Sequence, residues 1–461
     1  MKKLIIFKKI PFMLGGLILI LSTFVAGAAH ATFYYVAING NDSSNGSEAS
    51  PFRTIKHGVT VLAPGDTLYV KAGTYKEYIT NDKSFRTNIF IPNGKSWDEP
   101  VTVAANPGDT VTIMPGSGKA FFWIMDGQDK YLIIDGFIVD GQNTASHGFK
   151  FTNGTRYIRV ENSEIKNSVY TGVIVTNTLV NRSTYGLPAD TYHEFKNLHV
   201  HHNGTNVKDH GFYIETSHNL VENCDIHHNS GNGGKFYMSD EAGGGGTSNN
   251  NIFRYSTTHD NSTNCQTLCT GWLLGSGKGN QAYGNISYNQ PVGFSIGSHA
   301  IDNILYNNIA YDNIYYGIHV YGDWGGSDHA MVYNNTVYNN HLYGIGVRTG
   351  SRDTVIKNNI AYNNGANSSA NIYLQPDQSP GTVAEKNLLT DPKFVDHLKH
   401  DFKLQSGSPA IDSGVNLPEV KVDFFGVERY RGKAYDIGAI EQDLADDSTP
   451  PATPTGFKVL F

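Results

Sequence analysis

From His147 to Val347 the chain repeats one short pattern, a glycine followed by alternating large apolar and other residues. It reads HGFKF from His147, TGVIV from Thr171, HGFYI from His210, GGKFY from Gly233, TGWLL from Thr270, VGFSI from Val292, YGIHV from Tyr316 and YGIGV from Tyr343. Most intervals are 22 to 27 residues. A second unit of the form N-x-apolar-x-apolar with trailing asparagines alternates with the first: ENSEIKNS from Glu161, KNLHVHHN from Lys196, ENCDIHHN from Glu222, NNIAYDN from Asn307, NNTVYNN from Asn334 and NNIAYNN from Asn358. Period-two alternation in short runs predicts at least two strands per repeat. Strands this short cannot bury a face alone, but coiled one above another they share a continuous core. The pattern therefore predicts an all-β solenoid, a single-stranded right-handed parallel β-helix. The period is too short for a propeller blade, and the repeats run one after another without a break. Asparagine suits the bends because its short amide holds backbone groups and tolerates a left-handed conformation, and stacked copies can bond as a ladder.

The first and third residues after each glycine are mostly large and apolar, as in Phe149/Phe151, Phe212/Ile214, Trp272/Leu274 and Ile318/Val320. They are expected to face inward, with the second and fourth facing solvent and neighbouring coils about 4.8 Å apart. Residues distant in sequence then form outward columns, with Lys150, Ile174, Tyr213 and Lys235 followed by Ser295, His319, Tyr321 and Arg348. The stretch from Phe33 to Tyr75 resembles the opening coil of secreted β-helix proteins of the polysaccharide-lyase type, which implies a short capping helix near Thr54 to Leu62. The DPKF, SGSPAIDSG and DIGAIE segments near Asp391, Ser406 and Asp436 resemble the closing region of such proteins. One β-helix domain is thus expected over 32–442. Residues 443–461 read as an acidic, Pro-rich linker and the start of a module not contained in this chain.

The first 31 residues carry Lys2, Lys3, Lys8 and Lys9, an apolar run from Ile10 to about Ala26, and the A-x-A pattern Ala29-His30-Ala31. This reads as a signal peptide cut after Ala31, giving a secreted or cell-surface protein; the alternative is an uncleaved anchor. No later segment is apolar enough to span a bilayer. Cleavage removes four of the 35 basic residues and none of the 42 acidic ones, leaving a net charge of −11, which does not suit a nucleic-acid partner. Three cysteines exclude a disulfide-rich scaffold. Cys265 and Cys269 form either a small bridge or two free thiols, and Cys224 is expected to be buried.

Three insertions break the even spacing, at Asn177–His193, Ser239–Asn250 and Ser262–Thr270. On a solenoid such insertions wall off one face, often the binding face; the alternative is tolerated surface loops. Inside that zone, Gly231-Asn232-Gly233-Gly234-Lys235 resembles the G-N-G-F-K-L strand of the pectate lyases of polysaccharide lyase family nine. The resemblance implies that Lys235 takes the proton next to a uronate carboxyl, in a β-elimination that also uses a calcium ion. A lysine base needs its pKa lowered, which burial and neighbouring cations do. The family's calcium strand reads D-D-G-W-D. Asp209-His210-Gly211-Phe212-Tyr213 keeps only its first acid, so a cation would be held by Asp209, Glu215 and Asp240.

Asp209, His210 and Glu215 are the expected assistants of Lys235, with Tyr213, Lys208, His319, Tyr321 and Arg348 binding substrate. His199, His201, His202, His210, His227 and His228 crowd two coils; a transition metal or an acid/base pair is one reading, and solvated or stacked histidines scattered by alternation the other. The expected partner is a polysaccharide and the protein is expected to be monomeric. Hydrolysis by paired carboxylates such as Asp209 and Glu215 is the alternative chemistry, and glycan binding without catalysis the third reading.

Overall fold

A computed structural model describes residues 31–442, except 82–90, 178–187, 238–247, 263, 264, 266, 267, 298, 324, 376, 430 and 431. The expected signal peptide, apart from Ala31, and the linker at 443–461 lie outside the described residues. So do Asp240 and Trp324. Among the described residues no helix is long and apolar enough to cross a membrane.

The chain winds as a right-handed parallel β-helix. Among the described residues three long sheets form: a first of 13 strands from Phe33–Val36 to Val383–Glu385, a second of 11 from Ile79–Asn81 to Ile372–Leu374, and a third of 11 from Gly73–Tyr75 to Ile360–Tyr362. Between the first and last strands of the first sheet, each coil contributes one strand to the first, third and second sheets in turn. The coil containing Leu220–Glu222, Asp225–His227 and Gly234–Phe236 is an example. Stacking is parallel and in register, so Phe212 lies beside Gly234 and Val173, and Tyr213 beside Lys235 and Ile174. A fourth sheet of four two-residue strands, Gly277–Lys278 to Ser351–Arg352, adds a side to the later coils.

The glycine-led units form the second sheet, and their first and third residues fill the core as the alternation requires. Phe149, Phe151, Phe212, Ile214, Trp272, Leu274, Ile318 and Val320 are all fully buried in one continuous cluster. The asparagine-led units form the third sheet and the bends beside it. At the bend into that sheet Asn197, Asn223 and Asn307 adopt φ near +54°, and at the bend out of it Asn167, His202, His228 and Asn339 do the same. The trailing asparagines turn inward. Asn203, Asn229 and Asn261 form a buried amide ladder, each Nδ2 reaching a backbone carbonyl of the preceding coil and the first two also the next rung's Oδ1, at 2.9–3.1 Å. A second ladder runs through Asn285, Asn308, Asn335 and Asn359. These amides pair with one another and with carbonyls of the adjoining strands, such as Ile165, Val200 and Leu305, inside the barrel.

The ends are closed differently. The helix Ile55–Thr60 begins at Thr54, whose hydroxyl accepts the His57 N–H at 3.1 Å. It lays Ile55 and Val59 over the first coil, and Gly58 sits where a β-carbon would meet Leu68 at 2.7 Å. At the other end, residues 391–442 return along the outside of the barrel. An antiparallel pair, Phe394–Asp396 with Asp401–Leu404, packs Phe394 and Phe402 on Tyr338, and Phe402 also on Tyr311. Arg429 is fully buried and donates to Glu441, to the Asn307 side chain and to the Gly438 and Ala439 carbonyls.

Candidate functional site

Lys235 sits at the second position after Gly233, in Gly234–Phe236 of the second sheet. Phe236 points into the core and Lys235 away from it. Its rung neighbours are Tyr213 and Leu273. The ammonium lies 4.5 Å from the Tyr213 ring centre and 4.9 Å from that of Tyr237, so two aromatic faces replace water around it. Burial lowers its pKa to about 8, against the opposing pull of the Glu215 carboxylate. Tyr237 follows from the alternation that selects Lys235, being two residues on; the sequence reading passed over it.

Glu215 is buried at the end of Phe212–Ile214 and its N–H donates to the Val175 carbonyl. Its charge reaches Lys235. His210 is buried too. Its Nδ1 accepts the Asn232 N–H at 3.0 Å, which puts the ring proton on Nε2, and among the described residues that Nε2 has no hydrogen-bond partner. Burial, then the Lys235 charge, holds this imidazole well below its ordinary pKa and therefore neutral. The ring meets Tyr213 edge-on, with centroids 5.8 Å apart. Lys235, Tyr213, Glu215 and His210 thus form one group.

Asp209 is placed beside this group but committed elsewhere. Its Oδ2 accepts from the N–H groups of Thr205 and Asn206 and from the Asn206 amide at 2.7–3.1 Å, closing the turn that leads into the strand. Lys208 is exposed on that turn. Calcium takes six to eight oxygens. With Asp209 engaged, Glu215 is the carboxylate that the described residues bring to Lys235, and this donor set does not fit calcium. Nor does it offer a hydrolase's two free carboxylates across a bond.

His319, Tyr321 and Arg348 lie farther along the same sheet. The outward column runs Tyr213, Lys235, Leu273, Ser295, His319, Gly346, so His319 is three rungs, about 14 Å, from Lys235. The sequence reading takes His319 as solvent-facing, but it is 1% exposed. Tyr316 and Tyr321 of its own strand stack on its two faces at 4.3 and 4.7 Å. Burial, with Arg348 adding to it, lowers its pKa to about 3. In the opposite direction Lys150 lies 4.2 Å from the Trp123 ring centre, and burial lowers its pKa as well.

Cys265 and Cys269 are bridged and Cys224 is buried and free, which settles the open pairing. Alternation does not scatter the clustered histidines. His199 and His201, two residues apart, share the outer face of the third sheet with His227 and His259.

Several known proteins share this architecture. Pectate lyase L of Dickeya dadantii (strain 3937) is 25% identical over 440 residues, covering 92% of this chain and 93% of that protein. Among solved structures, pectate lyase Pel9A aligns with a TM-score of 0.55 at 19% identity, over 90% of this chain and 97% of that one. The GH136 lacto-N-biosidase from Eubacterium ramulus also gives 0.55, at 13% identity over 77% and 67%. At these identities the two structures establish the fold. Residues 38–271, just over half of the chain and including Lys235 and its group, match the family described as "Protein of unknown function (DUF1565)", and the chain belongs to that family.

Proposed function

We propose that this protein is a secreted lyase that cleaves a uronate-containing polysaccharide by β-elimination, with Lys235 as the base. The observation that carries the reading is the Lys235 ammonium held against the Tyr213 and Tyr237 rings with its pKa brought down to about 8. An ordinary lysine holds about one neutral amine in three thousand at pH 7, whereas a pKa near 8 gives about one in ten. The neutral amine takes the proton from the carbon next to the substrate carboxyl. The C–H electrons form a carbon–carbon double bond, the glycosidic bond β to the carboxyl breaks, and the departing oxygen is protonated by solvent.

Glu215 holds the resulting ammonium, and the neutral His210 shapes the wall beside Tyr213. Tyr321 and Arg348, farther along the same sheet, are the distant contacts of a chain-like substrate, while the rungs between, Leu273, Ser295 and His319, are buried beneath the surface it follows. The 25% identity to a pectate lyase along nearly the whole chain supports this substrate class. Export by the amino-terminal leader is part of the same proposal. So is calcium as a substrate-side counter-ion, which the described residues alone do not hold.

The test is incubation of the protein with a panel of polyuronates, with and without calcium, while the ultraviolet absorbance of the unsaturated product is followed. Absorbance that grows with wild type and is lost in Lys235→Ala supports elimination. New reducing ends without that absorbance indicate hydrolysis, and binding without cleavage of any polymer indicates a glycan-binding protein; either result overturns the proposal.

A further inference from the structure

A different face of the same coils carries chemistry that the Lys235 group does not use. On the third sheet, Glu164–Lys166, His199–His201, Asp225–His227 and Thr257–His259 stack in register. One outward column reads Glu164, His199, Asp225, Thr257 and its neighbour reads Lys166, His201, His227, His259. Three imidazoles of the second column are stacked, His201 on His227 at 5.0 Å and His227 on His259 at 4.8 Å. His199 crosses between the columns, bringing its Nε2 to 2.6 Å from the Nε2 of His227 and 3.9 Å from Asp225 Oδ2.

The acids on this face are unevenly placed. His259 lies between two carboxylates, with Asp225 3.2 Å from its Nε2 and Asp260 2.6 Å from its Nδ1. His201 directs Nε2 to Glu164 at 3.0 Å, and Glu164 is shared with Lys166 at 2.6 Å. His227 meets no acid in this way. Its Nε2 faces His199 and its Nδ1 faces His228 at 2.8 Å. Both of its ring nitrogens therefore meet other imidazoles. Two imidazole nitrogens turned on each other beside a carboxylate oxygen are an arrangement that a cation completes.

We infer that His199, Asp225 and His227 form a binding site for one divalent first-row transition ion of the zinc class. The three donor atoms all lie within 4.8 Å of one another. Zinc bonds imidazole at about 2.0–2.1 Å in tetrahedral geometry, which separates two nitrogen ligands by about 3.3 Å. His199 and His227 therefore open by roughly 0.7 Å to admit the ion, a small rotation for partly exposed side chains. Two nitrogens and one carboxylate select zinc, nickel or copper over calcium, which takes oxygens. His259 plays the orienting part, fixing Asp225 through Oδ1 and leaving Oδ2 for the ion. A second donor set, Glu164, His199 and His201, shares His199. The two sets therefore compete for one ion, and Lys166 already occupies Glu164. The fourth position belongs to solvent. An ion held here joins two successive coils through side chains in addition to the sheet ladder.

The test uses the full chain carrying no histidine tag, titrated with zinc by calorimetry and with cobalt(II) by visible absorption. One ion per chain and tetrahedral cobalt bands are expected, unaffected by millimolar calcium. His199→Gln and Asp225→Asn each weaken zinc by about tenfold or more, while His201→Gln and the remote His341→Gln leave it unchanged. Zinc raises the melting temperature of wild type but not of His199→Gln, with circular dichroism of the ion-free proteins confirming that both are folded. Absence of zinc binding tighter than about 100 µM, binding unchanged in both His199→Gln and Asp225→Asn, or loss in His201→Gln with retention in Asp225→Asn overturns the assignment.

Discussion

Replacing Asn335 by alanine tests whether the buried amide ladders hold the coils together. Asn335 Oδ1 accepts the Asn308 N–H at 2.9 Å and its Nδ2 at 3.0 Å, and Asn335 Nδ2 donates to the Leu305 carbonyl at 2.9 Å and to Asn359 Oδ1 at 3.0 Å. In the alanine variant the Asn308 amide keeps the Ala282 carbonyl, and the Asn335 N–H keeps Asn359 Oδ1. What is lost outright is the acceptor for the Asn308 N–H and one donor to Leu305, both fully buried. A buried polar group left without its partner costs about 1–3 kcal/mol, so stranding two is expected to cost about 2–6 kcal/mol. If the barrel unfolds as one body of about 400 residues, the entropy of unfolding converts this to a fall of about 2–7 °C in melting temperature.

The comparison is Asn363→Gly, which removes the exposed amide bonded to Asn339 at 3.0 Å from a position of φ 56° that glycine accepts freely. Its expected effect is below about 1 °C. Melting is followed by far-ultraviolet circular dichroism and by calorimetry. Equal melting temperatures for Asn335→Ala and wild type, or a larger loss in Asn363→Gly, would refute the ladder argument.

Two further outcomes follow from groups with displaced pKa values. Lys235 is mostly protonated below pH 8 and mostly neutral above it, so the initial rate of elimination should rise about tenfold between pH 7 and pH 9. Glu215→Gln removes the charge that favours the ammonium and should move that midpoint below 8; a pH-independent rate, or a midpoint moved upward, contradicts the role given to Lys235. Arg429→Met strands the buried Glu441 carboxylate and removes the bonds to Asn307, Gly438 and Ala439, at a cost of about 3–5 kcal/mol. Limited proteolysis should then cut within residues 391–442 while the solenoid survives, and cleavage no faster than in wild type would show that the closing segment is held by other contacts.

What sequence could reveal here follows from how a solenoid is made. Inward and outward positions are a local property of period two, so Phe212, Trp272 and Lys235 were assignable from their distance to a glycine, whereas two cysteines four residues apart left the bridge and the free thiols equally open. Neighbours across coils also follow once the repeats are aligned, which is how Tyr213 comes beside Lys235. Alternation is silent on what lies over an outward residue. His319 has the polarity and position of an open subsite, yet Tyr316 and Tyr321 close over it. Likewise Tyr311 and Tyr338 point outward and are then covered by Phe402, some 60 to 90 residues later, when the closing segment returns. Asp209 looked like a free acid because its partners, the backbone groups of Thr205 and Asn206, depend on the shape of a turn. The histidines of Lys196–Asn203 and Glu222–Asn229 show the same limit from the other side. Their spacing of two put His199 and His201 on one face, and the repeat put His227 beside His201, so the cluster was implicit in the pattern. What needed coordinates was the crossing of His199 toward His227, because side-chain direction across two columns is set by packing and charge rather than by period. The residues that carry chemistry on this scaffold are therefore those whose surroundings the repeat does not determine, and the proposals for Lys235 and for the His199, Asp225 and His227 site both rest on such surroundings.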